Sequence, residues 1–191
     1  MKKRQPRNVA FIGRSGSGKG TQAELLENFL TPALRIETGA LFRALAKEET
    51  PIGHLVRNIL EEGGLPPGWL ASFLWEREIF LRLTPEKHLI MDGAPRRLEE
   101  AELLDRILPD FGRHGASGIY VAVGRAEAKQ RLLDRGRGDD DEGTIENRLA
   151  YFEKDVVPVL EYYKDKKRLI EINGEQSVEA VHKDIVRALG L

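Results

Sequence analysis

A glycine-rich segment near the start of the chain, residues 13–21, contains four glycines among nine residues. The apolar run before it, residues 8–12, predicts a short buried strand, and residues 19–30 carry apolar side chains at helical spacing. A glycine turn between a strand and a helix lets several backbone N–H groups converge on one anion, and the helix start adds partial positive charge. The segment therefore predicts a strand–loop–helix unit that binds phosphate, which constrains the fold more than any other feature of the sequence.

The lysine of this loop, Lys19, is expected to reach the β- and γ-phosphates of ATP as a point charge. The general form of the loop has Ser or Thr directly after the lysine, whereas here Gly20 follows it and Thr21 comes one place later. We therefore expect Thr21 to serve a magnesium ion indirectly, through water. The loop residues predicted to bind ATP are Gly16, Ser17, Gly18, Lys19, Gly20 and Thr21.

Composition limits the class of protein. The chain has 191 residues, of which 41% are hydrophobic and 32% charged, and this balance predicts one soluble domain spanning residues 1–191. The net charge of -1 disfavours a general nucleic-acid-binding protein, which usually has a basic excess. Cysteine is absent, which excludes disulfides and thiolate metal sites and suits a reducing compartment. The short apolar run 9–12 does not resemble a signal sequence, and no segment reaches the roughly 20 apolar residues of a membrane helix, so we expect a cytoplasmic protein without membrane binding.

Strand and helix patterns alternate along the rest of the chain. Four further apolar runs predict strands, at residues 34–37, 88–91, 118–123 and 168–172. Residues 39–83 are predicted to be helical with breaks at 50–51 and 63–67, and residues 144–163 to form a long helix that bends at Pro158. This alternation predicts an α/β fold of three layers, in which a central parallel sheet is covered by helices on both faces.

Several motifs resemble the adenylate kinase and nucleoside-monophosphate kinase family. Residues 18–22 read Gly-Lys-Gly-Thr-Gln, a narrower form of the phosphate loop that is typical of that family. Residues 92–96 read Asp-Gly-Ala-Pro-Arg and resemble its Asp-Gly-Phe-Pro-Arg segment, while residues 38–39 followed by Arg43 resemble its Thr-Gly segment and acceptor-binding arginine. The arginines between residues 131 and 148 resemble those around its lid, and the resemblance covers nearly the whole chain.

The resemblance implies a P-loop NTPase fold with a helical acceptor-binding insert at about residues 38–67 and a short lid at about residues 136–143. It also implies transfer of a phosphoryl group from ATP to a nucleoside monophosphate, with Mg²⁺. Such a reaction requires two phosphate chains to be aligned and neutralised, and guanidinium groups suit phosphate oxygens. The residues implied to be catalytic are Lys19, Arg96, Arg135, Arg137 and Arg148.

Three residues near these motifs carry more specific expectations. Arg135 is also expected to bind ATP. Asp92 ends a predicted strand, where a carboxylate can hold a magnesium-bound water near the loop; capping the turn is its alternative role. Arg131 could join the lid arginines or form an ordinary surface salt bridge.

The acceptor side departs from the family at several positions. The residues implied to bind the acceptor are Thr38, Gly39, Arg43, Gly64, Leu65, Pro66, Gly93, Arg96, Glu100, Arg137 and Arg148. Glu100 stands where adenylate kinases have a glutamine, and a carboxylate accepts a hydrogen bond but cannot donate one to a ring nitrogen. Its alternative role is that of a solvated charge on a helix. Pro66 replaces a valine and removes an N–H, Ala94 replaces an aromatic residue, and Ala40 stands where aspartate is common.

These departures leave several functions open. AMP is the first expected acceptor, with CMP, UMP and GMP as alternatives within the family. A kinase for another small acceptor, such as a sugar acid or shikimate, and a nucleotide-binding module that has lost turnover are the other candidates. A GTPase is disfavoured because the sequence has no Asn-Lys-x-Asp segment.

Three further expectations concern metal, assembly and the tryptophans. The absence of cysteine and the few histidines near the short lid predict that it holds no zinc. The resemblance implies a monomer, because each chain would hold a complete site. Trp69 and Trp75 lie on one amphipathic stretch and are predicted to pack in the core, with a role in lining the acceptor pocket as the alternative.

Overall fold

The computed structural model of the protein describes residues 6–136 and 141–191. Helices and strands alternate along these residues, in the order β1 Asn8–Ile12, α1 Lys19–Phe29, β2 Ala33–Glu37, α2 Thr38–Leu45, α3 Pro51–Glu61, α4 Gly68–Arg82, β3 His88–Asp92, α5 Leu98–Ile107, β4 Ser117–Ala122, α6 Arg125–Arg135, α7 Glu142–Tyr151, α8 Val157–Asp165, β5 Leu169–Asn173 and α9 Val178–Ala188. A 3₁₀ turn, Leu108–Phe111, follows α5, and a π-helical turn, Phe152–Val156, joins α7 to α8. All five predicted strands are confirmed, with ends that differ by no more than one or two residues.

The strands of the described residues form one parallel sheet in the order β2-β3-β1-β4-β5. Strand β1 lies at the centre, between β3 and β4. In the register of the sheet, Asp92 at the end of β3 stands beside Phe11 of β1 and Glu37 of β2. The phosphate loop, the end of β3 and the start of α2 therefore meet at the carboxyl edge of the sheet, where open α/β sheets bind ligands.

Apolar residues cover both faces of this sheet, and the side chains of β1 show the division. Ala10 and Ile12 belong to the cluster under α2, α4, α5 and α8, whereas Val9 and Phe11 belong to the cluster under α1 and α9. Every residue of β1 is buried, as expected for the central strand of a doubly covered sheet. The predicted three-layer α/β architecture is thus confirmed.

The helical stretch after β2 divides where the sequence predicted, into α2, α3 and α4. Thr50 caps α3 by accepting a hydrogen bond from the Gly53 N–H, and Pro51 occupies the first turn, where a missing N–H costs nothing. Trp75 is buried with 1% of its surface exposed, but Trp69 is 64% exposed, so the prediction that Trp69 packs in the core is wrong. The buried stripe of α4 runs through Leu70, Ala71, Trp75 and Ile79, and Trp69 lies just outside it.

The long predicted helix at residues 144–163 is interrupted. It begins earlier than expected, because the Asp141 carboxylate accepts hydrogen bonds from the backbone N–H groups of Gly143 and Thr144 and so caps α7. The π-helical turn lies directly before Pro158, whose ring nitrogen has no hydrogen for a carbonyl of the preceding turn. Among the helices described, none combines the length and the apolar composition that crossing a bilayer requires.

Candidate active site

The phosphate loop joins the end of β1 to the start of α1. Gly18, at the N-cap of α1, has a φ of 89°, a left-handed conformation that glycine adopts without strain. The Lys19 ammonium folds back over the loop and donates to the carbonyl oxygens of Gly13 and Arg14, at 2.7 and 2.6 Å. It also lies 3.4 Å from Ser17 Oγ, and Ser17 itself is buried inside the loop.

The electrostatics of Lys19 indicate a site that is built for an anion. Burial, together with the nearby Arg96 guanidinium, lowers the pKa of Lys19 to about 7. The charged form of Lys19 is destabilised because burial removes its hydration and neighbouring cations repel it. A bound phosphate would offset both effects. The lysine therefore lies where a polyphosphate would restore its charge.

A cleft of about 400 Å³ opens beside the loop. It is lined by Ser15, Gly16, Gly18, Lys19, Gly20, Thr21, Glu24, Arg35, Glu37, Gly39, Arg43, Asp92, Gly93, Arg96, Arg131 and Arg135. The residues come from the loop, from β2 and α2, from the end of β3 and from α6. The cleft thus brings together Lys19, Arg43, Arg96 and Arg135, which the sequence assigned to two different substrates.

Two of the arginines that the sequence assigned to the acceptor line the cleft. Arg43, on α2, donates to Glu37 Oε1 at 2.5 Å. Arg96 Nε donates to the Gly93 carbonyl at 2.7 Å, and a Cβ atom on Gly93 would lie only 3.0 Å from Arg96 Nη2. Gly93 has a φ of 80°, a left-handed conformation that favours glycine, and a larger residue there would also displace the Arg96 guanidinium.

Asp92 ends β3 inside the cleft, with 6% of its surface exposed. A Cβ atom on Gly20 would lie 3.5 Å from Asp92 Oδ2, so this carboxylate borders the phosphate loop. Arg35 Nη1 donates to the same oxygen at 3.4 Å. Burial raises the pKa of Asp92, and the charge of Lys19 partly offsets that effect. A buried carboxylate beside Thr21 and the loop fits an indirect magnesium ligand, since a divalent cation would offset its desolvation.

Glu100 lies on the first turn of α5 with 1% of its surface exposed, so its alternative role as a solvated helix charge is wrong. Its Oε2 accepts a hydrogen bond from the Arg96 backbone N–H at 3.3 Å. Its Oε1 is buried and has no hydrogen-bond partner among the described residues. Burial raises the pKa of Glu100 to about 7.

Other predicted residues lie away from the lining of the cleft. Thr38 is the first residue of α2 and is buried, with its hydroxyl unpaired among the described residues. Gly64, Leu65 and Pro66 do not line the cleft. The carbonyl oxygens of Leu65 and Pro66 accept hydrogen bonds from Arg97, at 3.4 and 2.7 Å. Arg148 lies half-buried on α7. Arg137 lies outside the described residues.

The sequence analysis missed Arg35, Glu37 and Arg97. Arg35, at the centre of β2, pairs with Glu27 and Asp92 and lines the cleft. The available signal for Arg35 was a charged residue inside a short predicted parallel strand, where apolar residues are expected. Arg131 pairs with Glu127 at 2.7 Å, as its salt-bridge alternative predicts, and it also lines the cleft; a role beside the lid arginines stays a prediction.

Comparison with known proteins agrees with this geometry. A family model described as adenylate kinase matches residues 11–168. "Adenylate kinase 1" of Nostoc sp. is 35% identical over 182 residues, which cover 95% of this chain and 98% of that protein. The adenylate kinase of Thermus thermophilus is 35% identical over 187 residues, with 96% and 97% covered. That of Bacillus velezensis is 30% identical over 215 aligned positions, with 96% and 98% covered.

Proposed function

Because the chain belongs to the adenylate kinase family, we propose that it transfers the γ-phosphoryl group of ATP to AMP and so forms two molecules of ADP. The observation that supports this most directly is the single cleft. It holds the phosphate loop with Lys19, and it also holds Arg43, Arg96 and Arg135 from three other parts of the chain. These arginines come from segments outside the loop and suit a second phosphate group in the same cleft.

The residues divide into donor and acceptor groups. The loop N–H groups and Lys19 hold the β- and γ-phosphates of ATP, while Arg43 and Arg96 hold the phosphate of AMP. Arg135, together with Arg137 and Arg148, neutralises the group in transit. An oxygen of the AMP phosphate then attacks the γ-phosphorus as the bond to the bridging oxygen of ADP breaks. The protein supplies alignment and positive charge and forms no covalent bond itself.

When the acceptor binds, its phosphate replaces existing hydrogen-bond partners of Arg43 and Arg96. Arg43 donates to Glu37, and Arg96 donates to the Gly93 carbonyl, at 2.5 and 2.7 Å. A phosphate group accepts bidentate hydrogen bonds from guanidinium more strongly than a single carboxylate oxygen or carbonyl does. The existing contacts therefore keep both side chains placed at the cleft, and the AMP phosphate replaces them.

Magnesium fits beside the loop. Asp92 and Thr21 would hold it through water, and the ion would neutralise charge on the β- and γ-phosphates. The pair of oxygen ligands suits a hard cation that retains most of its own water. That the lid binds no zinc remains an expectation from the sequence.

We also propose that two segments of the chain move during the reaction. The insert at residues 38–67 closes over AMP, and the lid at residues 136–143 closes over ATP; residues 137–140 lie outside the described residues. Closure excludes water that would otherwise hydrolyse the γ-phosphate. Because one chain contributes all the lining of the described cleft, a monomer would suffice for activity. A cytoplasmic location, where both nucleotides are abundant, would suit this reaction.

A coupled assay of ADP formation tests the function. The acceptors are AMP, CMP, UMP, GMP and their deoxy forms, each with ATP and Mg²⁺, and we expect AMP to give the highest kcat/KM. ADP release that no monophosphate stimulates would refute the proposal. A Lys19→Met variant should lose turnover by about 10²- to 10³-fold while its far-UV circular dichroism is unchanged.

A further inference from the structure

The side chain of Arg14, the second residue of the phosphate loop, has no role in the proposed binding of ATP. Its backbone carbonyl accepts a hydrogen bond from the Lys19 ammonium at 2.6 Å, but the residue does not line the cleft. The side chain is only 16% exposed, so protein surrounds most of a charged group. Because a guanidinium that leaves water needs partners, the partners of Arg14 indicate what its side chain does.

The main partners of Arg14 lie in the π-helical turn that joins α7 to α8. Its Nη2 atom forms an ion pair with the Glu153 carboxylate. The guanidinium carbon lies 4.1 Å from the centre of the Phe152 ring, which is the geometry of a cation–π contact. Phe152 is buried and stacks on Tyr120 of β4, with ring centres 6.3 Å apart. The ring is thus fixed against the sheet, and Arg14 is fixed on the ring.

Two further contacts join the loop to the same region. Arg14 Nη1 donates to the carbonyl oxygen of Val123, directly after β4, at 3.3 Å. The hydroxyl of Ser15, the next residue of the loop, lies 3.2 Å from the Tyr151 hydroxyl at the end of α7. Two successive loop residues therefore contact three successive residues, 151–153, where α7 meets the π-helical turn.

Arg148 lies one turn before these contacts on α7. It precedes Tyr151 by three residues and Phe152 by four, and residues at these spacings share one face of a helix. On another side, Ile145 and Leu149 pack against apolar residues of α6. The segment that holds the phosphate loop therefore also carries the arginine that is proposed to neutralise the group in transit.

The π-helical turn itself agrees with a functional contact. Single π-helical turns are rare within helices and are frequently found at functional sites. Pro158 accounts for an interruption near this point, but it does not account for the partners that the turn presents. The first two residues of the turn, Phe152 and Glu153, are the two that hold the Arg14 side chain.

We propose that Arg14 is a positioning residue for phosphoryl transfer, which attaches the end of α7 to the phosphate loop and so places Arg148 relative to the γ-phosphate. This inference rests on the proposed function, because Arg148 is assigned there to the group in transit. Arg14 acts through α7 and does not touch the reacting atoms.

The position of α7 next to the proposed lid explains why such an attachment matters. Helix α7 begins at Glu142, within the lid at residues 136–143, so closure of the lid moves its first turn. Arg148 does not line the open cleft, and it has to approach the transferred group as the lid closes. With its far end held on the loop, α7 turns about a point that is fixed relative to the phosphates of ATP. Alignment of this kind matters, since a displacement of about 1 Å can cost about 10²-fold in rate.

Replacement of Arg14 by methionine removes the ion pair without burying an unpaired charge. The Glu153 side chain is 58% exposed, so its carboxylate stays hydrated when Arg14 is absent. A methionine also keeps an apolar contact with the Phe152 ring. We therefore expect Arg14→Met to fold, and its far-UV circular dichroism to match that of the wild type.

The first test is the steady-state kinetics of ADP formation from ATP and AMP. In Arg14→Met, kcat should fall by about tenfold or more, while the KM for ATP should change by less than about twofold. The KM is expected to hold because the loop backbone and Lys19 are unaltered. Glu153→Gln should lower kcat in the same direction, and Arg14→Lys should recover part of it, since lysine keeps the charge but not the planar group. An unchanged kcat in Arg14→Met would overturn the proposal.

The second test is a double-mutant cycle between Arg14→Met and Arg148→Ala. If Arg14 acts through Arg148, Arg14→Met should change kcat by less than about twofold once Arg148 is replaced. A loss of kcat by the same factor in both backgrounds would show a general effect on the loop or the fold and would overturn the proposal. An Arg148→Ala variant with wild-type kcat would overturn it as well.

Arg125→Met is the matched control. Arg125 pairs with Glu146 of α7 from the start of α6, and it does not contact the phosphate loop. Its kcat should equal that of the wild type, and a loss equal to that of Arg14→Met would show that the contact with the loop is not what places Arg148. Absence of ADP formation by the wild type with every monophosphate would instead refute the proposed function.

Discussion

Replacing Glu100 with glutamine should change how the stability of the protein depends on pH. Glutamine keeps the size of the side chain and an oxygen that can accept from the Arg96 N–H, but it cannot ionise. In the wild type the folded-state pKa is raised from 4.5 to about 7 by burial. Between these two pH values only the unfolded chain releases the proton, so the free energy of unfolding falls as the pH rises. Above about pH 7 both states are ionised and the loss stays constant.

The size of the effect follows from the two pKa values. A shift from 4.5 to about 7, at about 1.4 kcal/mol for each pKa unit, is worth about 3 kcal/mol. The unfolding free energy of Glu100→Gln relative to the wild type should therefore rise by about 3 kcal/mol between about pH 4.5 and about pH 8. For a chain of 191 residues this corresponds to a relative Tm change of roughly 6–12 °C.

Urea unfolding of both proteins at several pH values measures the difference directly. Glu99→Gln is the matched control, because Glu99 is the exposed neighbour on the same helical turn and undergoes the same chemical change. Its stability relative to the wild type should stay nearly constant with pH. A difference between Glu100→Gln and the wild type that does not grow over this range would show that Glu100 is not buried as a neutral group.

Three further substitutions test other parts of the structure. Arg43→Ala should raise the KM for AMP by about 10- to 100-fold through loss of a charge-assisted hydrogen bond, whereas Arg82→Ala, which breaks only a surface pair with a neighbouring helix residue, should leave steady-state kinetics unchanged. Asp92→Asn should raise the Mg²⁺ concentration for half-maximal activity by about 10- to 100-fold in a titration at fixed ATP, and an unchanged requirement would remove Asp92 from the metal site. Trp75→Ala should lower the free energy of unfolding in urea by about 3–5 kcal/mol because its ring is buried, while Trp69→Ala should cost less than about 0.5 kcal/mol; equal losses would contradict the packing of α4.

The layers of the fold could be predicted because their signals are local. The strands of a doubly covered sheet are short continuous apolar runs, and the phosphate loop needs particular glycines between a strand and a helix. The π-helical turn before Pro158 was also foreseeable in position, since proline removes one backbone donor wherever it stands. The sequence pattern could not determine which face of a helix packs against the core. Trp69 and Trp75 lie on one helix, and a rotation of part of a turn separates the exposed ring from the buried one.

The acceptor side was harder to predict because its contacts join distant segments. Arg97 reaches the carbonyls of Leu65 and Pro66 across more than thirty positions of sequence, and Arg35 reaches Asp92 from a neighbouring strand. The burial of Glu100 likewise depends on how the surrounding helices pack, and a helical glutamate in a sequence is ordinarily expected in water. Only the assembled fold shows which of these charges are buried and which of them line the cleft.

The cleft has an excess of positive charge, although the chain as a whole is nearly neutral. The chain carries a net charge of -1, yet among the described residues the cleft lining holds six formally cationic side chains against three acidic ones. At least five of those cations already donate to protein oxygens, among them Arg43 to Glu37 and Arg96 to Gly93. In the proposed reaction substrate binding exchanges hydrogen-bond partners, so we expect an affinity for AMP that is smaller than a count of arginines would imply. We expect the same exchange to favour ligands that carry a phosphate, because bidentate hydrogen bonds from the Arg43 guanidinium to phosphate oxygens can replace its contact with Glu37.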